Sequence, residues 1–192
     1  MLLTLEEILI FSGLFSLILI GFIILFAFVK RVETIELSQQ LENSGYPYLA
    51  KLVLCSGHNL SHVDLHNINF HQASMEGFNL CGCQLQDAKF TCSHCNWINL
   101  SESMAVHSHF DKVKMKHADL HKANFEGSSF YYANLKGSDL EDADFRNTNL
   151  KGANLARINQ KNTHWEGAVF NKDTHLPFNR DLAFKKGMVF MG

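Results

Sequence analysis

The feature that most constrains this chain is a period of five residues, held without a slip over residues 60–170. Of the 23 positions in that stretch numbered in multiples of five, 20 are Leu, Phe, Met or Trp, with Cys95, Ala105 and Gln160 as the exceptions. Two places before each stands a column that is small in 18 of 23 cases, as at Ala88, Ala118, Ala123, Ala133, Ser138, Ala143 and Ala153. Between the columns Asn or Asp occurs 13 times, among them Asn59, Asp64, Asn134, Asp139 and Asn154. A strand alternates at two and a helix recurs at about 3.6, so a period of five fits neither. The chain must therefore turn once per repeat. All seven glycines between positions 57 and 167 lie two places after a multiple of five, six of them after a large residue and Gly57 after Cys55, marking a recurring corner where positive φ costs little. Asn and Asp suit the approach to such a corner, because their short side chains bond nearby backbone in turns.

The motif A-(D/N)-L, present as Ala133-Asn134-Leu135 and Ala153-Asn154-Leu155, resembles the pentapeptide-repeat family over this stretch. The resemblance implies an all-β fold, a right-handed quadrilateral β-solenoid with four pentapeptides per coil. Four repeats per coil require residues twenty apart to stack, and the sequence carries that superperiod. Phe70, Phe90, Phe110, Phe130, Leu150 and Phe170 form one column; Leu60, Leu80, Leu100, Leu120 and Leu140 form another, which ends at Gln160. Nearly six coils at a strand spacing of ~4.8 Å predict a rod of roughly 28 Å. Solenoid repeats contact only their neighbours and need capped ends.

Residues 8–29 contain no charge and are long enough to cross a hydrocarbon core of ~30 Å, which predicts a single transmembrane helix. A cleaved signal peptide fits less well, because Glu6 and Glu7 stand where a cationic region belongs and no small-x-small site precedes Lys30. Lys30 and Arg31 follow the span directly, so the positive-inside tendency puts the N-terminus outside and the solenoid in the cytoplasm of a bacterial inner membrane. Ser12, Gly13, Ser16 and Gly21 place small residues along part of the span, a candidate packing face for neighbouring membrane helices. The expected organisation is thus a tail at 1–7, the span at 8–29, a juxtamembrane helix at 30–45, an N-terminal cap at 46–57, the solenoid at 58–175 and a C-terminal cap helix at 176–192. In that last segment the five-residue phase is broken, and Leu182, Phe184 and Val189 are expected to cover the final coil. The only two prolines, Pro47 and Pro177, bracket the repeats.

Five Cys and eleven His invite a metal reading, and Cys81, Cys83, Cys92 and Cys95 have zinc-like spacing. The register opposes it: Cys83 and Cys95 fall in inward columns, Cys81 and Cys92 outside on opposite sides. No two histidines are twenty apart, so none form a ladder. No nucleophile–base spacing and no phosphate-binding glycine loop is present, and the expectation is a non-enzyme without a cofactor. The formal net charge of −2 conceals an uneven surface. One side carries Lys114, Lys116, Lys136 and Arg157 against Glu76, with Trp97 stacked against His117 one coil on. The next carries Glu102, Asp119, Asp139, Glu141 and Asp142 against Lys122 and Lys161, and Tyr131 and Tyr132 point outward on a third.

These features predict a membrane-anchored scaffold or accessory subunit, which meets other membrane-protein subunits through its helix and solenoid surface, touches membrane lipid and binds no nucleic acid. The family resemblance implies two alternatives, a DNA-mimicking topoisomerase modulator and a secreted, membrane-targeted effector. The mimic requires a strongly acidic rod, whereas residues 58–175 carry 13 acidic and 11 basic residues. The orientation is testable: a reporter fused after Gly192 should be active in the cytoplasm. Labelling of the solenoid cysteines by an impermeant reagent in intact cells would contradict it.

Overall fold

The computed structural model describes residues 58–192. The tail, span, juxtamembrane helix and N-terminal cap expected over 1–57, with Ser12, Gly13, Ser16 and Gly21, lie outside the described residues. Among the described residues no helix is long and apolar enough to cross a membrane.

Each repeat is a corner followed by a short extended segment. The carbonyl of the large residue accepts a hydrogen bond from the N–H three residues on, as in Val63 to Leu60 (3.3 Å) and Ala133 to Phe130 (2.9 Å). The second corner residue is left-handed, for example His62 at φ 59° and Trp97 at φ 62°. A bonded four-residue turn with positive φ at its third position is a type II turn. The Asn/Asp column secures the entry to it. All thirteen of these side chains accept from the backbone N–H two residues further on, as Asp139 does from Glu141 at 2.9 Å.

Between corners, only one residue per side joins a parallel bridge. These bridges link residues twenty apart on all four sides: Asn59 with Asn79, Asp64 with Gln84, Asn69 with Lys89, Ser74 with His94. Backbone bonds such as Phe110 N–H to Ser129 O (2.7 Å) tie each coil to the next. The coil of four repeats is therefore the one the superperiod implies.

Both apolar columns point inward and are buried. Phe90, Phe110 and Phe130 stack at centroid separations of 4.8 Å, with interplanar angles of 11° and 7°. Phe125, Phe145 and Trp165 continue a neighbouring column at 5.1 and 5.3 Å. The small column lets opposite walls approach, and its hydroxyls are satisfied in two ways. Ser93 Oγ donates to the carbonyl of its own turn at Phe90 (2.6 Å), whereas Ser108 Oγ donates across coils to Leu85 O (2.5 Å). Gln160 is the exception among the large positions and is only half-buried.

The C-terminal end departs from expectation. One residue is inserted after Phe170, so that Asn154 bridges His175 instead of the residue twenty later. A six-residue helix, α1 (Arg180–Lys185), follows, with the Asn179 side chain accepting from Leu182 N–H at 2.9 Å. The solenoid register then resumes. β1 (Val169–Phe170) pairs in parallel with β2 (Val189–Phe190), and Gly167 N–H bonds Gly187 O at 2.9 Å. The phase is thus lost and regained within the segment expected only to break it. The cover is only partly the expected one: Leu182, Phe184 and Val189 are exposed, although the Phe184 ring meets Phe170 at 5.9 Å, and Ala183 and Met188 are buried. Small Ala183 lets the helix sit close, while resumption of the register turns Met188 inward and Val189 outward.

Phe110→Ala should cost about 3–5 kcal/mol, because it empties the middle of a stacked column. Chemical denaturation measures the loss; an unchanged midpoint would show that Phe110 does not hold the core.

Candidate docking face

The left-handed corner residue projects its side chain along the outer wall toward the next coil. Where that side chain is a ring, the residue twenty later is often glycine. The His107 ring lies where a Cβ on Gly127 would stand, 2.5 Å from it, and the His117 ring comes within 2.8 Å of one on Gly137. Tyr132 covers Gly152 and His62 covers Gly82 in the same way. These glycines answer to the ring above them as well as to their own φ.

Trp97 begins the longest such column. Its ring stacks on His117 at 4.4 Å and 14°, His117 rests on Gly137, and Arg157 follows one coil further. Trp97 is 64% exposed, so its indole contributes nothing to the interior. Lys116 and Lys136 share this corner and Lys114 stands mid-side; all three and Arg157 are exposed. None of these four cations makes an ion pair among the described residues. The superperiod explains this: Lys136 has Lys116 one coil before it and Ala156 one coil after. Glu76 is occupied, its carboxylate accepting from Asn96 Nδ2 at 2.8 Å while Asn96 Oδ1 accepts from Lys116 N–H at 3.0 Å.

The acidic side is more nearly satisfied within itself. Lys161 pairs with Glu141 and, as the main cause, holds that carboxyl below its ordinary range. Asn159 Nδ2 donates to Asp139 (2.9 Å) and Asn162 Nδ2 to Asp142 (2.9 Å). The acidic side thus has hydrogen-bond partners for Asp139, Glu141 and Asp142, whereas the four cations of the basic side have no ion pair among the described residues.

Tyr131 and Tyr132 meet edge to face at 4.6 Å and are 39% and 46% exposed. They form a corner that opens onto Ala133, Asn134 and Leu135, so they edge the basic side itself, opposite the Trp97 corner. The Tyr132 hydroxyl donates to Asp173 Oδ2 at 3.2 Å, and this bond raises the phenol pKa. Residue spacing alone did not bring the tyrosines to this side, because a corner belongs to two sides at once. The ring-over-glycine relation had a legible signal, a glycine twenty residues after His62, His107, His117 and Tyr132.

The cysteines follow their register. Cys83 and Cys95 are buried, and Cys81 and Cys92 are half-buried. Among the described residues no three His, Cys, Asp or Glu side chains converge on a point suited to a metal ion. Burial pushes the Cys95 thiol up to about 12 and the Cys83 thiol up to about 11.

A family model for pentapeptide repeats matches residues 59–91, 93–130 and 128–164, in eight copies. No curated protein matches the chain. Among solved structures, the pentapeptide repeat protein Rfr23 from the cyanobacterium Cyanothece 51142 is 22% identical, over 65% of this chain and 95% of that one, with a TM-score of 0.43. The pentapeptide repeat protein alr5209 from Nostoc Pcc 7120 is 24% identical over 75% and 93% of the two chains, with a TM-score of 0.36. QnrB1, a plasmid-mediated fluoroquinolone resistance protein, is 13% identical over 59% and 69%, with a TM-score of 0.42.

The thiolate is the reactive form of cysteine, so the raised pKa values predict a labelling pattern. Iodoacetamide at neutral pH should modify Cys81 and Cys92 in the native protein, and Cys83 and Cys95 only after denaturation. Peptide mass spectrometry reads this directly; early modification of Cys95 would place it outside the packed interior.

Proposed function

We propose, from the premise that this chain belongs to the pentapeptide-repeat family, that its solenoid is a rigid docking surface carried by a membrane anchor. Members of the family fold as right-handed β-solenoids and are in general non-catalytic structural or interaction proteins. In this reading the chain is a scaffold or accessory subunit of a bacterial inner-membrane complex. The span at residues 8–29 inserts beside other membrane helices through Ser12, Gly13, Ser16 and Gly21. The solenoid stands in the cytoplasm.

The observation that carries the reading is the Trp97–His117 stack, exposed among cations that make no ion pair among the described residues. Interfaces concentrate their energy in a few aromatic and Arg positions, while surrounding contacts mainly exclude water. Indole is costly to expose and here serves no coil of its own. Unpaired Lys114, Lys116, Lys136 and Arg157 favour an acidic patch on the partner, which speeds encounter and fixes orientation. They also disfavour duplex mimicry, since a nucleic-acid mimic presents carboxylates where this face presents ammonium groups.

The triple variant Trp97→Ala, Lys114→Glu, Lys116→Glu should keep the wild-type melting temperature, because none of the three side chains enters the core. In mild-detergent purification from the native membrane it should lose the co-eluting partner. If that variant keeps the partner, and enlarging Ser12, Gly13 and Ser16 to Leu releases it, the docking face is wrong and the helix alone makes the association.

A further inference from the structure

The inserted residue after Phe170 opens a cleft of about 720 Å³ between the last repeats and the Tyr132 corner, lined by Tyr132, Asn134, Asn154, Lys172, Asp173 and His175 among others. A one-residue insertion of this kind re-aims side chains and ends regular pairing. The cleft is an open groove, and its volume falls within the range of small-molecule sites. The wall is fixed in place: Gly152 N–H bonds both Asn171 Oδ1 (2.9 Å) and Thr174 Oγ1 (3.2 Å), and Thr174 Oγ1 donates to Leu150 O at 3.0 Å. The Tyr132–Asp173 bond closes one edge.

The polar groups facing this space have determined roles. Asn134 Oδ1 and Asn154 Oδ1 each accept a backbone N–H, from Lys136 (3.3 Å) and Ala156 (3.1 Å). The amide orientation follows, and each Nδ2 remains a donor with no partner among the described residues. As residues twenty apart on bridged strands, the two present these donors one strand spacing apart, ~4.8 Å. Lys172 makes no ion pair among the described residues, and Asp173 supplies an acceptor beside it. The cleft thus holds the Lys172 ammonium, the Asp173 carboxylate, two fixed amide donors, the His175 imidazole and the Tyr132 ring.

We propose that this cleft binds a neutral, hydroxyl-rich ring of the pyranose type. An anion would be met by Lys172 but repelled by Asp173; a cation faces the reverse. A sugar hydroxyl both donates and accepts, so it satisfies amide, ammonium and carboxylate together, and the C–H face of the ring lies against Tyr132. The pinned wall is already in its bound shape, which lowers the ordering cost of binding. This goes beyond docking and is independent of it.

The test is saturation-transfer NMR on the full chain in a zwitterionic detergent, since a sugar-headed detergent would compete. The probes are the methyl β-glycosides of glucose, galactose and N-acetylglucosamine at millimolar concentration. At least one should receive transfer at its ring C–H protons. Tyr132→Gly removes the ring and keeps the left-handed corner, as Gly152 does one coil on; it should weaken binding at least tenfold at an unchanged melting temperature. Trp97→Ala should bind as the wild type does, which separates this site from the Trp97 corner of the same side. Silence from all three glycosides, or equal binding by Tyr132→Gly, overturns the proposal. So does displacement of the bound glycoside by millimolar inorganic phosphate, which would mark an anion site.

Discussion

The left-handed corner is the constraint on which the rest of this structure depends. It recurs every five residues, and in sixteen cases the residue that adopts it is not glycine. Left-handed backbone costs an L-residue roughly 1–2 kcal/mol, so each corner persists only because its surroundings over-determine it. The type II turn bond, the Asx bond from the preceding side chain and the inter-coil backbone bonds all converge there. Beneath them the two inward columns supply the apolar burial that offsets the strain. Were one corner to relax, every later residue would rotate off its side, and the stacked columns would be lost together.

The same corner produces the features proposed to work. A left-handed residue cannot bury its side chain, so it lays it along the outer wall. Trp97, His117 and Tyr132 are large rings aimed along the wall by the backbone and held by the ring or glycine of the next coil, outside the core. Rigid aromatic groups lose little entropy on contact, which is what an anchor needs. Charge follows the same logic: ion pairs form between opposite charges twenty residues apart, as Lys161 with Glu141, or two apart across a corner, as Arg146 with Asp144. Where the column offers Lys above Lys, the cations stay open to solvent.

Irregularity enters where the repeat stops. One inserted residue and one short helix replace most of a seventh coil, yet the backbone returns to register at β2 because Gly187 recovers the corner at φ 77°. The chain closes its core with Ala183 and Met188 and lays the half-exposed Phe184 ring over Phe170, while Leu182 stays outside. The displaced wall, not a regular side, is what makes room for a cleft.

The strict period determined the two inward columns, the thirteen turn-bonding Asn and Asp residues and the outward position of Trp97, while the coil of four repeats came from the family resemblance and agreed with the twenty-residue superperiod. Those features are local or lie one superperiod apart, the separations that a periodic sequence displays directly. The return of register at the C-terminus was also written, since residues 187–190 repeat the pattern of 167–170, but the intervening helix hides it from a five-residue count. The Tyr132–Asp173 bond spans 41 residues and the orphaned amides of Asn134 and Asn154 face a wall that one insertion has moved. Those only the tertiary structure decided, because periodicity reports what each coil shares with the next and an insertion is where they differ.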